Sequence, residues 1–148
     1  MDQQAKANTL EWNNAKFQIK LKAQESGGNI GIFESTDPPG FGPPRHIHHD
    51  ADETFLVQSG DVEFWMEGET VMRTTGEVIF IPRGKQHTYR VAGERPARMI
   101  TIMTPGGFEA FFPEVAKRNL KIPEDMAEVV SVGEKFNLTF TGPPLGAE

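Results

Sequence analysis

Three of the four histidines in this 148-residue chain fall within four consecutive positions, at His46, His48 and His49. The segment that carries them, RHIHHDADE (45–53), is also rich in carboxylates. Imidazole nitrogens and carboxylate oxygens are common ligands of divalent transition metals in proteins. The segment is therefore either a metal site or a solvated, charged loop.

A strand over this segment would place His46 and His48 on one face, because successive side chains of a strand alternate between faces. Two imidazoles so placed converge on one ion, at about 2.0–2.1 Å each, where that face lines a cavity. Glu53 follows the polar turn HDAD and returns a carboxylate to the same place. His87, in IPRGKQHTY, reaches the site only if distant strands are neighbours, as a closed barrel allows. His49 projects to the opposite face and is predicted to lie at the surface.

Short strands separated by turns must position these side chains. The 15 glycines and 11 prolines are spread along the chain, which favours many strands over a helical bundle. Alternating apolar residues between turn signals predict strands over 16–22, 29–35, 45–49, 53–58, 61–67, 69–74, 77–81, 86–91 and 97–103. This spacing is typical of an antiparallel sandwich or barrel.

The C-terminal part of the chain has a different pattern. Residues 106–120 predict a short helix that is interrupted or restarted near Pro113. Residues 123–137 predict a second helix, with Pro123 in its first turn. The tail LTFTGPPLGAE is predicted to be extended. The expected architecture is a β-barrel with a mainly helical C-terminal appendage.

The composition of the chain indicates which kinds of partner and which cellular compartment to expect. The net charge is −6 and there is no run of Lys or Arg, which argues against nucleic acid or an anionic membrane as a partner. The absence of cysteine excludes a disulfide framework and a thiolate metal site. The polar N-terminus MDQQAKANTLEWNN lacks the apolar stretch of a signal peptide, and no apolar run is long enough to span a bilayer. We expect a cytoplasmic protein.

The spacing of these residues resembles the two signatures of the cupin superfamily. G-x5-H-x-H-x4-E-x6-G runs from Gly40 to Gly60, and G-x5-P-x-G-x2-H runs from Gly76 to His87. The resemblance implies that one divalent transition metal ion (Fe, Ni, Mn, Co, Cu or Zn) is held by His46, His48, Glu53 and His87. The second signature usually continues to an asparagine, where this chain has Val91; that asparagine is not a ligand, so a metal site is still expected.

The resemblance also implies a fold and a class of reaction. The fold is an all-β double-stranded β-helix, or jelly-roll barrel, over about 16–104, with a short helical appendage over about 105–148. Residues 1–148 are accordingly predicted to form a single cupin domain. The chain as a whole resembles quercetin-2,3-dioxygenase-like cupins, which implies a dioxygenase acting on a flavonol or a related enol. In that reaction Glu53 would be the catalytic base that takes the hydroxyl proton.

A substrate pocket is predicted on the strand faces that carry the ligands. Positions that follow Glu53 and His87 at period two are apolar, and one face of strand 61–67 is expected to turn inward with them. Aromatic residues of the first helix are expected to cap the barrel mouth. The predicted pocket residues are Phe55, Val57, Phe64, Met66, Tyr89, Val91, Phe108 and Phe112. Ordinary core packing is the other interpretation of all of them.

The leading hypothesis is a metal-dependent oxygenase acting on a small hydrophobic enol or phenol. Two alternatives remain open: a non-catalytic cupin that binds a small molecule or a metal, and a redox-silent isomerase or lyase. The strand KFQIKLK would be an exposed sheet edge in a monomer, so a homodimer is also predicted.

Overall fold

Two antiparallel sheets pack face to face in the computed structural model of this chain, which describes residues 9–146. The six-stranded sheet has the order β1-β2-β3-β10-β5-β8, and the five-stranded sheet has the order β11-β4-β9-β6-β7. The strands are β1 (Thr9–Trp12), β2 (Ala15–Leu21), β3 (Gly31–Asp37), β4 (Pro44–His48), β5 (Asp52–Ser59), β6 (Asp61–Met66), β7 (Glu69–Thr74), β8 (Val78–Ile81), β9 (His87–Ala92), β10 (Ala97–Thr104) and β11 (Leu138–Pro144). The helices are α1 (Phe111–Lys117) and α2 (Met126–Glu134), with 3-10 turns over Ala23–Ser26 and Phe108–Ala110.

The core lies between the two sheets because inward side chains recur at every second position. In β3 and β4, buried and half-buried residues alternate along the whole strand. Val57 and Met99 from the six-stranded sheet meet Val62 and Phe64 from the five-stranded sheet, and all four are buried. The predicted all-β jelly-roll fold with a short helical appendage is confirmed.

An N-terminal strand that the sequence did not predict adds to the first sheet. β1 pairs with β2 from Thr9 opposite Gln18 to Trp12 opposite Ala15. Its two-residue turn is built by asparagines with left-handed φ values, which suits a tight hairpin. The argument that KFQIKLK is an exposed edge is therefore wrong for its first half, since β1 covers it. The homodimer stays a prediction.

The C-terminal tail is a strand of the barrel. β11 pairs with β4, which places Leu138 opposite His48 and Phe140 opposite His46. The predicted barrel limits of 16–104 are therefore too narrow, because 9–12 and 138–144 also belong to the sheets. The tail was predicted to be extended, and the structure shows that it pairs with β4 as part of the sheet. The four-residue β1, which forms a hairpin with β2, was not predicted.

Both helices begin at positions other than those predicted. Pro113 does not interrupt α1, because it lies in the first turn, where a missing N–H leaves no helical bond unmade. Pro123 is not in the first turn of α2, which begins at Met126. The residues before α2 form a turn in which the Asp125 carboxylate accepts a hydrogen bond from the Lys121 N–H at 2.9 Å.

The described residues include no helix that is both long and apolar enough to cross a membrane. The polar segment 1–8, on which the prediction of no signal peptide partly rests, lies outside the described residues, as do residues 147–148 of the predicted 1–148 domain.

Candidate metal centre

Three strands bring the four predicted ligands together inside the barrel. His46 and His48 point inward from β4, Glu53 lies near the start of β5, and His87 is the first residue of β9. His46 pairs directly with His87 across the sheet. One donor atom of each residue lies within 4.8 Å of the others, and all four side chains are buried. Two donors of one ion lie at most about 4.2 Å apart, so a small contraction would complete the coordination.

Backbone carbonyls orient two of the imidazoles. His46 Nδ1 lies 2.8 Å from the Pro44 carbonyl oxygen, and His87 Nδ1 lies 2.9 Å from that of Lys85. A carbonyl oxygen only accepts hydrogen bonds, so both Nδ1 atoms carry the hydrogen and donate it. Nε2 is therefore the nitrogen that each ring directs into the centre. Bonds of this kind, from the non-ligating nitrogen, are how metal-binding histidines are usually held.

A buried nitrogen without a partner is the strongest sign that the group is built for a cation. His48 Nε2 is shielded from solvent and makes no hydrogen bond within the described part of the chain; it lies 3.5 Å from Glu53 Oε1. An unpaired buried polar atom costs about 1–3 kcal/mol, which a coordinated ion would remove. Burial also lowers the pKa of His48, and burial beside His87 lowers the pKa of His46 well below its usual value. Both imidazoles are thus neutral and able to coordinate.

The carboxylate supplies the negative charge of the group. Burial by itself raises the pKa of Glu53, but His48 and the hydrogen bond from His87 outweigh it and bring the pKa to about 2. Burial opposes protonation of His87, yet the 2.8 Å bond to Glu53 Oε1 raises the pKa of His87 overall. A divalent ion would take the place of the proton shared by this pair. The residues present therefore fit a divalent ion with nitrogen and oxygen ligands.

His49 is not part of this group. It is exposed in the bend that follows β4, and its Nε2 lies 2.8 Å from Thr139 Oγ1.

An apolar cavity of about 60 Å³ opens beside the centre, and His46 and Glu53 form part of its wall. Four of the predicted pocket residues also line it: Phe55, Tyr89, Phe108 and Phe112. The other four, Val57, Phe64, Met66 and Val91, do not; they belong to or pack against the barrel core beyond the cavity. The alternation of side chains along each strand identified the residues that face inward. It could not show how deep in the barrel each residue lies, because the register between strands decides that.

Several wall residues were not predicted as pocket residues. Phe17 and Phe33 are buried positions of strands that the sequence predicted, so the alternation of apolar residues could have identified them as inward-facing. Trp12 and Phe140 gave no such signal, because the strands that carry them were not predicted. Phe41 and Phe111 also contribute to the wall.

A buried carboxylate fixes the aromatic cap. Glu109 accepts hydrogen bonds from the N–H groups of Gly107 and Ala23, each at 2.8 Å. Gly31 makes room for it, since a Cβ there would lie 1.9 Å from Glu109 Oε1. The neighbouring Phe108 ring is thereby held edge-on to His48, with ring centroids 4.5 Å apart. The cap therefore shields the centre from water.

A third buried acid, Asp37, contacts Tyr89 of the cavity wall. Asp37 Oδ2 accepts hydrogen bonds from the Tyr89 hydroxyl at 3.3 Å and the Ser35 hydroxyl at 3.1 Å, while Asp37 Oδ1 has no partner in the described residues. Burial raises the pKa of Asp37 to about 7, although both hydroxyls oppose the shift. Because the folded-state pKa exceeds the ordinary value of 3.8, Asp37 lowers the free energy of unfolding progressively as the pH rises from about 4 to about 7, where it is ionised in the unfolded chain but still protonated in the folded one.

Asp37→Asn is therefore expected to gain stability relative to the wild type as the pH rises. The relative gain between pH 5 and pH 8 is about 2–3 kcal/mol, measured by urea unfolding at both values. Asp52→Asn is the matched control, because hydrogen bonds from Arg83 hold the pKa of half-buried Asp52 below its usual value and the effect of the substitution stays constant over this pH range. A difference between Asp37→Asn and wild type that does not change with pH would contradict the prediction.

Comparison with known proteins places this site in a family. Residues 33–103, which include all four candidate ligands, match the Cupin_2 family, described as a cupin domain. Quercetin 2,3-dioxygenase of Bacillus subtilis is 27% identical over 94 residues, which are 64% of this chain and 28% of that protein. Endoribonuclease YbeY of Myxococcus xanthus is 30% identical over 110 residues, which are 74% of this chain and 36% of that protein. The matched part of this chain spans well under half of the length of either curated relative.

The solved structure of KdgF from Halomonas sp. has the same fold. It superposes with a TM-score of 0.64 at 16% identity and covers 72% of this chain and 93% of its own.

Proposed function

From the premise that this chain belongs to the cupin family, we propose that it is a metal-dependent oxygenase, dioxygenase-like in its reaction, acting on a small hydrophobic enol or phenol. The observation that carries the proposal is that the centre opens on an apolar, largely aromatic cavity. His46 and Glu53 lie in the same wall as Phe55, Phe108 and Phe112. The match to a quercetin 2,3-dioxygenase supports the same class of substrate.

A redox-active divalent ion, when bound, supplies Lewis acidity toward an enol oxygen and electron transfer to dioxygen. His46, His48, Glu53 and His87 would hold the ion, and Phe108 and Phe112 exclude water from the cavity beside them. Glu53 is ionised at neutral pH and lines the cavity, so it is the proposed proton acceptor. In that step the enol O–H bond breaks, the proton passes to a Glu53 carboxylate oxygen, and the electron pair stays on the substrate oxygen.

The size of the cavity limits the substrate. Cavities for drug-sized ligands measure about 300–1,000 Å³, and an engineered cavity that binds benzene measures about 150 Å³. The observed 60 Å³ is smaller than either, so even a single ring requires wall side chains to move. A compact enol or phenol therefore fits better than a rigid multi-ring molecule.

Oxygen uptake tests the proposal. Protein reconstituted with Fe(II), Ni(II), Mn(II), Co(II) or Cu(II) is screened in an oxygen electrode against flavonols and single-ring enols and phenols. We expect oxygen consumption only when both ion and substrate are present. Tight binding of these compounds without turnover would support a binding protein instead, and turnover without oxygen consumption would support an isomerase or lyase.

A further inference from the structure

A polar groove lies directly outside the apolar cavity. It measures about 600 Å³ and runs between the β1–β2 turn and segment 119–124. Its polar walls include two acids, Glu11 and Glu124, and two lysines, Lys16 and Lys121. The charges balance, so the groove has no strong preference for an anion or a cation.

A single layer of side chains separates this groove from the cavity. Trp12, Asn13 and Ile122 line both spaces. The Trp12 indole N–H donates a hydrogen bond to the Leu120 carbonyl oxygen at 2.5 Å, and this bond joins the β1–β2 hairpin to the loop after α1. On its inner side the indole lies edge-on to Phe111, with centroids 5.7 Å apart. Displacement of Trp12 would therefore connect the groove with the cavity.

Three asparagines of the groove have side-chain amides that are available to a ligand. The side chains of Asn13, Asn14 and Asn119 line it, and none makes a side-chain hydrogen bond within residues 9–146. An amide both donates and accepts, so it pairs with hydroxyl and carbonyl groups without requiring charge. These three amides, set among balanced charges, suit a neutral polar ligand.

We propose that the substrate of this site has two parts: an enol or phenol head that occupies the apolar cavity and a neutral, hydroxyl-rich tail that stays in the groove. Trp12 is then the residue that determines specificity, because the junction between head and tail lies against its indole. The inference rests on the proposed function for the identity of the head. It also accounts for the small cavity, since entry of the head displaces Trp12, and tail hydroxyls take over the freed indole N–H and Leu120 carbonyl.

Binding to the zinc-loaded protein tests this proposal without turnover. The probes for calorimetry are phenol, 4-butylphenol and 4-hydroxyphenyl β-glucoside, which differ only in the tail. One or two additional hydrogen bonds from the sugar hydroxyls predict that the glucoside binds about tenfold more tightly than phenol. The glucoside is also expected to bind more tightly than 4-butylphenol. The indole N–H proton resonance of Trp12 should shift with the glucoside, while that of Trp65, outside both spaces, stays in place.

Two glycine variants locate the tail. Asn13 and Asn119 have φ values of 53° and 49°, so Asn13→Gly and Asn119→Gly remove an amide without straining the backbone. Each should reduce the ratio of glucoside to phenol affinity by about threefold to tenfold. Asn137→Gly is the matched control, because Asn137 has a φ of 57° and lies outside the groove.

The outcomes separate this inference from the proposed function. Three results would each contradict the groove as the site of the tail. They are equal affinity for phenol and the glucoside, tighter binding of 4-butylphenol than of the glucoside, and an unchanged ratio of glucoside to phenol affinity in both asparagine variants. Tail-dependent binding without oxygen uptake by the redox-metal protein would support the groove as the tail site and contradict the proposed oxygenase activity. Oxygen uptake that ignores the tail would do the reverse, and failure of all three probes to bind would contradict both.

Discussion

His48→Ala is expected to lower metal affinity by at least about a hundredfold while the barrel stays folded. His48 Nε2 is buried, unpartnered among the described residues and directed at the other three ligands, so its loss removes a donor that nothing nearby can replace. Elemental analysis of protein purified without chelator gives the occupancy, and competition with a chromophoric chelator gives the change in affinity.

His49→Ala is the matched control for this variant. It removes an adjacent, exposed imidazole whose contact is with Thr139, so its metal content should equal that of the wild type. Circular dichroism and thermal unfolding of the metal-free proteins show whether the barrel is intact. Full metal occupancy in His48→Ala would refute the assignment of His48 as a ligand.

Glu53→Gln is expected to reduce turnover by about 10²–10⁴-fold per bound metal ion. Glutamine keeps the size of the side chain but carries no charge, so it neither accepts the substrate proton nor balances the buried centre. His87 loses its ionic partner, and burial then lowers the pKa of His87. Oxygen uptake divided by metal content separates this loss from any reduction in occupancy.

The same substitution at Glu63 is the control. Glu63 pairs with Arg90 at 2.8 Å in a partly exposed ion pair away from the cavity, so Glu63→Gln should leave turnover unchanged. Wild-type turnover per metal ion in Glu53→Gln would show that Glu53 is not the base.

The ligand set was accessible from the sequence because it depends on short spacings. A single residue between two histidines places both on the same face of a strand, and His46 and His48 do lie together on the buried face of β4. Glu53 could be placed by its position after a short turn. His87 required the family resemblance, since only its cross-strand pairing with His46 brings it to the centre.

The cavity was accessible only in part, for two physical reasons. Alternation shows which side of a strand faces inward, but inward residues divide between core and cavity according to depth. Val57 and Phe64 lie in the core away from the cavity, while Phe55 and Tyr89 also line it. Phe140 comes from a strand that forms by pairing with the distant β4, and Trp12 from a four-residue strand too short to show a clear alternation.

The sequence by itself determined an antiparallel sandwich or barrel, the grouping of His46, His48 and Glu53, and the face of each strand that turns inward, because these follow from alternation and turn chemistry over a few residues. The resemblance of its motifs to the cupin signatures added the jelly-roll class and His87. The tertiary structure decided the rest. It set the hydrogen bonds that direct Nε2 of His46 and His87 into the centre, the unpartnered nitrogen of His48, and the indole of Trp12 between cavity and groove. Each of these depends on contacts between segments far apart in the chain, where no local pattern constrains depth, register or orientation.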